Sequence, residues 1–258
     1  MTLLNRVGYM LSCWLSCPRP WHRASIPIEE GIPDCLEPGD VLLIEGSSRL
    51  STVIKYLTQS TWSHAALYVG EAACRDLFGA TRGECLVEAD LAEGVRLAGL
   101  EQFDGYPLRI CRPLGLSEED IERLVTYACR RVGHRYDLHN IFDLARYLLP
   151  LPPVPVPWRR RMLSLGSGDP TRAICSTLIA QAFQSVRYPI LPFEEWQDDP
   201  RRCVGCQRRV LQRRHYSLFT PRDFDLSPYF EIVKPALAGG FDPRRLAWRE
   251  TEDALPEV

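Results

Sequence analysis

No run of this 258-residue chain approaches the ~20 consecutive apolar residues that a bilayer crossing requires. Nor does one sign of charge dominate, since 31 basic and 33 acidic side chains leave a formal net charge of −2. A dedicated nucleic-acid binder draws its affinity from neutralised phosphates, so that class is disfavoured. A hydrophobic content of 45% argues equally against disorder. There is no internal repeat. The chain also lacks the phosphate-cradling G-x-x-x-x-G-K-[ST] loop, a G-x-G-x-x-G after a strand, and the H-E-x-x-H of zinc peptidases. Gly166-Ser167-Gly168 does not have the spacing of a nucleophile elbow.

Metal-ligand spacing is thin as well. His134 and His139 do not fall on one helical face, and Cys203-x-x-Cys206 is a single pair with only His215 nearby. A structural zinc needs four ligands, so ordinary loop thiols are the simpler reading of that pair. No metal or organic cofactor is expected. What the chain does have is cysteine, ten in all. A protein of this length folds without disulfides, so scattered thiols read first as core residues of a reduced, cytoplasmic protein.

The amino-terminal residues Leu3, Leu4, Val7, Met10, Leu11, Trp14 and Leu15 follow the stripe of an amphipathic helix ended by Pro18. Asn5, Arg6 and Ser12 interrupt what would otherwise be a secretory core. A helix packed on the domain and a peripheral membrane contact through residues 1–17 both fit, and a cleaved signal is a third reading. The division expected is an arm over 1–32, one domain over 33–235, and a tail over 236–258.

Within the domain, PGDVLLI (38–44) reads as a buried strand after a turn, and Ser51 to Gln59 as a helix. Trp62 to Gly70 is apolar on both faces, as in an interior strand. Cys85 to Ala89 and Leu108 to Arg112 are further strands. Ser117 to Val132 opens Ser-Glu-Glu-Asp and carries the apolar spacing of a capped helix. Helical patterns follow over Tyr136 to Leu149 and Asp169 to Val186, separated by a proline run that forms a crossing arm or a recognition loop. Acidic 194–199 and Arg-rich 201–214 look like an internally salt-bridged excursion.

Cys175 falls in or near the first turn of the last helix, beside its apolar stripe. A thiol there feels unpaired amides and the positive end of the helix dipole, which favour the reactive thiolate. On its own this is weak, because a cysteine beside an apolar stripe is more often core than nucleophile. A nucleophilic thiol also needs an imidazole and a group to orient it. Of the histidines, only His64 sits inside an apolar strand, and burying one without a partner is costly. Glu88 is the lone acid within CLVEA. Three such oddities in one chain point to a site.

Read in order, Pro38-Gly39-Asp40-Val41-Leu42, Ser63 to Gly70 (SHAALYVG), Val87-Glu88-Ala89, Gly133 to Asp137 (GHRYD), Cys175-Ser176-Thr177-Leu178 and Thr220 to Ser227 (TPRDFDLS) resemble one family. It is that of the circularly permuted papain-like cysteine hydrolases of the YiiX/YebB/YaeF type, within the NlpC-like superfamily. The permutation accounts for histidine preceding cysteine. The resemblance implies an α+β fold with a mostly antiparallel sheet and the Cys175 helix packed against it. It implies Cys175 as nucleophile, His64 as base and then acid, and Glu88 as orienter, with Glu84 a rival for the last role. Tyr136 would shape the pocket, and Tyr68 and Asp40 would line it. The arm to Ile32 and the stretch 201–214 have no counterpart in the family and inherit no role.

The activity implied is an amidase or peptidase acting through an acyl-enzyme on a small amide- or acyl-containing substrate. A lipid-like or cell-envelope-derived molecule suits the apolar residues around 148–158. An acyltransferase using the same thiol and a catalytically idle binding module remain open alternatives.

Overall fold

In the computed structural model, residues 31–79, 85–90, 93–134, 174–199 and 206–235 are described, together with 201, 203, 242 and 244. Strands β1 (Val41–Ile44), β2 (His64–Tyr68), β3 (Leu86–Asp90), β4 (Gly94–Ala98) and β5 (Leu108–Pro113) form from the apolar runs. Between them and the carboxyl end lie β6 (Phe193–Asp198) and β7 (Gln207–Gln212), and then β8 (Phe230–Val233). A six-stranded sheet has the order β4-β3-β2-β1-β5-β8 with every pairing antiparallel, while β6 and β7 make a separate hairpin.

The expected strands over 38–44, 62–70, 85–89 and 108–112 are present in that sheet, and the α+β class holds. β1 and β2 are its central pair, in the register Leu42↔Ala66 and Ile44↔His64. Their interior position is why their residues are apolar on both sides. Side chains alternate between two layers. Val41, Leu43, Ala65, Leu67 and Val87 face one cluster, and Leu42, Ile44, Ala66, Leu86 and Ile110 face another with Ile32 and Phe103. Before β1 the chain turns through Gly39, whose φ of +96° is a conformation that a Cβ strains.

The α-helices among the described residues are α1 (Ile32–Cys35), α2 (Arg49–Thr58), α3 (Glu71–Phe78), α4 (Glu118–Cys129), α5 (Ile174–Ser185) and α6 (Pro221–Asp225). Ser117 caps α4 as its sequence predicts, its hydroxyl accepting from the Asp120 amide. Helix α5 packs on α4 and over β2 and β3, with Leu178, Ile179, Ala182 and Phe183 fully buried. Phe183 meets Phe230 edge-on at 5.1 Å between ring centroids and also approaches Tyr188 and Phe224. Truncating a ring so enclosed costs about 3–5 kcal/mol. This aromatic cluster ties α5 to the last strand.

The salt-bridged excursion is the hairpin β6–β7, exposed along nearly its whole length, with Arg209 paired to Glu194 across the strands. Its tip corrects one expectation. Cys203 and Cys206 are not loop thiols but a disulfide, their Cα atoms 5.2 Å apart. The turn between two paired strands brings the two sulfurs together, which spacing alone does not reveal. No described helix is long and apolar enough to cross a membrane. The amino-terminal arm up to residue 30 and the proline run lie outside the described residues, while Ile32, at the expected end of the arm, is buried in the core.

Candidate active site

β2 begins at His64, and what precedes it fixes where that side chain goes. The Ser63 amide donates to the Ile44 carbonyl at 3.1 Å, and the Ser63 hydroxyl accepts from the Gly46 amide at 2.9 Å. A Cβ at Gly46 would stand 2.4 Å from the Ser51 hydroxyl and 3.0 Å from that of Ser63, so a side chain here would displace the hydroxyls that hold this turn. One residue earlier, buried Trp62 donates its indole N–H to Asp225 at 3.0 Å. Arg109 lies over the indole ring at 4.8 Å and pairs with the same carboxylate at 2.5 Å. The Thr220-to-Ser227 motif thus anchors the approach to β2 from the far end of the sequence.

Glu88 stands opposite Ala66 in the β2–β3 register, so it shares a face with His64 one pleat away. The imidazole Nε2 meets its Oε2 at 2.5 Å. Glu88 is only 3% exposed, and its other oxygen is taken by Arg96 of β4 at 2.6 Å. Phe103 flanks the imidazole at 6.1 Å between centroids.

Cys175 is buried in the first turn of α5, within hydrogen-bonding and electrostatic reach of His64. The hydroxyl of the next residue, Ser176, donates to the Phe219 carbonyl at 2.7 Å and pins the start of the helix. His64 therefore joins the two core layers, with Phe103 on one side and Cys175 on the other.

Burial works against a charged imidazole at His64, yet its pKa stands well above the ordinary value of 6.5. The neighbouring Cys175, through its electrostatic influence and hydrogen bond, and Glu88, through its hydrogen bond and charge, together outweigh burial. For Glu88, burial likewise favours the neutral acid, but His64 and then Arg96 hold it below its ordinary 4.5. The two shifts agree: both favour an ion pair. Elsewhere burial keeps thiols neutral, pushing Cys111 up to about 12 with help from the Asp225 charge and Cys129 to about 11.

Asp40 and Tyr68 do not join this group. The Tyr68 amide donates to the Asp40 carbonyl at the opposite end of β2, roughly 13 Å from His64 at ~3.3 Å per residue. The Asp40 carboxylate is instead 1% exposed and gripped by Arg112, Nε at 3.0 Å and a terminal nitrogen at 2.8 Å. That is a structural ion pair that closes the turn before β1. Strand direction therefore places these two residues at the far end of β2 from His64. Tyr136 and Glu84 lie outside the described residues. Among the described residues, no group of three or more His, Cys, Asp and Glu side chains is gathered for a metal.

Arg96 was not singled out by its sequence, although a lone cation in the apolar run GVRLA was the available signal. The Trp62–Asp225–Arg109 cluster was equally silent, since nothing local couples its members.

Comparison with known proteins agrees with the motifs. Residues 35–147 match the model of the family described as permuted papain-like amidase enzyme, YaeF/YiiX, C92 family. The resemblance to that enzyme family holds over this stretch, which contains His64 and Glu88 and ends before Cys175. A similar solved structure is described as that of the metalloprotein yiiX from Escherichia coli O157:H7. It is 16% identical, with 77% of this chain and 97% of that one covered at a TM-score of 0.44. No curated protein matches the chain.

Proposed function

We propose that the protein is a cysteine hydrolase of amide or ester bonds, with Cys175 as nucleophile, His64 as base and then acid, and Glu88 as orienter. One observation carries the reading: the Nε2 of His64 is held at 2.5 Å by the buried Glu88 carboxylate, with the helix-start Cys175 thiol within electrostatic reach of the same imidazole. With Nε2–H donated to Glu88, Nδ1 is the nitrogen left to serve the thiol.

The steps follow from that arrangement. His64 takes the Cys175 proton, and the thiolate adds to the substrate carbonyl. The Cys175 amide, in the first turn of α5, is the donor proposed for the oxyanion. Collapse breaks the carbonyl bond to the leaving amine or alcohol, which takes the proton from His64. Water, deprotonated by His64, then attacks the thioester, releasing the acid and restoring the thiol. The substrate is a small amide- or acyl-linked molecule, with a lipid-like or envelope-derived acyl group as its apolar variant.

Thiol labelling tests the reading without a substrate. Iodoacetamide at mildly acidic pH, read by peptide mass mapping, is expected to modify Cys175 before the other cysteines. His64→Ala is expected to remove that preference. Equal labelling of all free cysteines would sink the enzyme reading. Capture of an acyl adduct on Cys175 from cell extract would name the substrate class, and faster release to an added amine than to water would mark an acyltransferase.

A further inference from the structure

Glu88 needs a cation that does not disappear. Its partner His64 gains and loses a proton in the proposed cycle, so its charge comes and goes. A carboxylate only 3% exposed is costly to keep ionised once its neighbour is neutral. Arg96 faces Glu88 directly in the β3–β4 register and reaches the oxygen that His64 does not use.

We propose that Arg96 is a positioning residue that holds Glu88 as an oriented anion throughout the cycle; the inference rests on the Cys175, His64 and Glu88 reading. The guanidinium is itself held. One terminal nitrogen spans Glu88 Oε1 at 2.6 Å and Gln102 Oε1 at 3.0 Å, and the other reaches Glu93 at 3.3 Å. Its Nε is buried with no hydrogen-bond partner among the described residues. That leaves the Glu88 contact as the buried end of a fork whose other end meets the surface at Glu93. A lysine has the charge without the planar fork.

Among the described residues, two ionisable groups act directly on Glu88. β2 supplies His64 and β4 supplies Arg96, while Cys175 on α5 reaches His64 and Glu93 reaches Arg96. With Arg96 gone, Glu88 takes up its proton at higher pH, and the charged imidazole loses its support over the same range. A plain cross-strand strut has no such consequence. Its loss lowers stability and leaves the pH dependence in place.

The test is the rate of Cys175 alkylation by iodoacetamide against pH, in the full-length protein, for wild type, Arg96→Met, Arg96→Gln and Arg96→Lys. Arg96→Met is expected to move the acid limb to higher pH. Its mildly acidic rate then falls by about tenfold or more, while the alkaline plateau stays put. Arg96→Lys is expected to restore part of the acid limb. If Arg96→Met does not fold, by circular dichroism, Arg96→Gln carries the same comparison, since its amide keeps a donor without the charge. A neutral variant whose profile superimposes on wild type overturns the proposal, and so does a uniform drop without displacement. Failure of the triad itself looks different: wild type would then show no preference for Cys175, or His64→Ala would leave it intact.

Discussion

His64 Nε2 and Glu88 Oε2 lie 2.5 Å apart across neighbouring strands, although the residues are separated by 24 positions. The pair makes stability depend on pH from two sides. His64 has a raised pKa, so its contribution is fully present below the unfolded value of 6.5 and is lost as pH rises through the folded value. Glu88 has a lowered pKa, so its contribution is present above 4.5 and is lost as pH falls through the folded value. Both contributions coexist between 4.5 and 6.5. Urea unfolding of wild type and His64→Gln is expected to differ most within that window and to converge at alkaline pH. A constant difference across pH would mean that the pair is not ionised as described.

Charge and shape can be separated at the same pair. Glu88→Gln keeps the side-chain outline and the hydrogen bond but removes the anion. Loss of the general base itself, in His64→Ala, costs about 10²–10⁴ in rate. Glu88→Gln is expected to cost a smaller share of this, with the loss concentrated at acid pH where the imidazolium needs its counter-charge. Alkylation of Cys175 across pH measures both variants. Equal effects of Glu88→Gln at every pH would assign Glu88 to packing.

How much of this was legible in the sequence depended on whether a signal was local. His64 stood out because its neighbours on β2 are apolar on both faces, and Cys175 because α5 has a clear stripe. Both are properties of one segment. The choice between Glu88 and Glu84 was not local, because the alternation of side chains along an extended run does not separate two acids four residues apart. What puts Glu88 beside His64 is the Ala66↔Glu88 register, a property of two strands at once. β4 went unread because Gly94 to Ala98 is short and interrupted by Arg96, a cation whose partner is supplied by the next strand. Asp40 shows the reverse case: its turn motif is conspicuous, but its Arg112 partner lies 72 positions away and is supplied by β5.

Asp40→Ala separates stability from chemistry. The change leaves the Arg112 guanidinium, 23% exposed, without its buried partner, and breaking such a pair costs on the order of 3 kcal/mol. Burial already pushes the Asp40 carboxyl up against the pull of Arg112, which marks the site as poorly solvated. Denaturant unfolding is expected to show the loss, while the folded fraction keeps its preferential alkylation at Cys175. Disappearance of that preference in folded Asp40→Ala would return Asp40 to the pocket.

The Trp62–Asp225 contact carries the longest-range prediction, since it ties a helix near the carboxyl end to the residue two before the imidazole. Asp225→Ala leaves a buried indole N–H unpaired and frees Arg109 from its ion pair. An unsatisfied buried donor costs about 1–3 kcal/mol. Trp62→Phe removes the donor itself, so the two changes share one interaction and should not add. A double-mutant cycle by urea unfolding is expected to give a coupling of about 0.5–3 kcal/mol. Because Trp62 sets the approach to His64, Asp225→Ala should also slow Cys175 alkylation at mildly acidic pH, and Arg222→Ala, which loses only a bond to the Thr58 carbonyl, should slow it less. Additive stabilities with unchanged alkylation would reduce the cluster to independent packing contacts, with no part in aiming the imidazole.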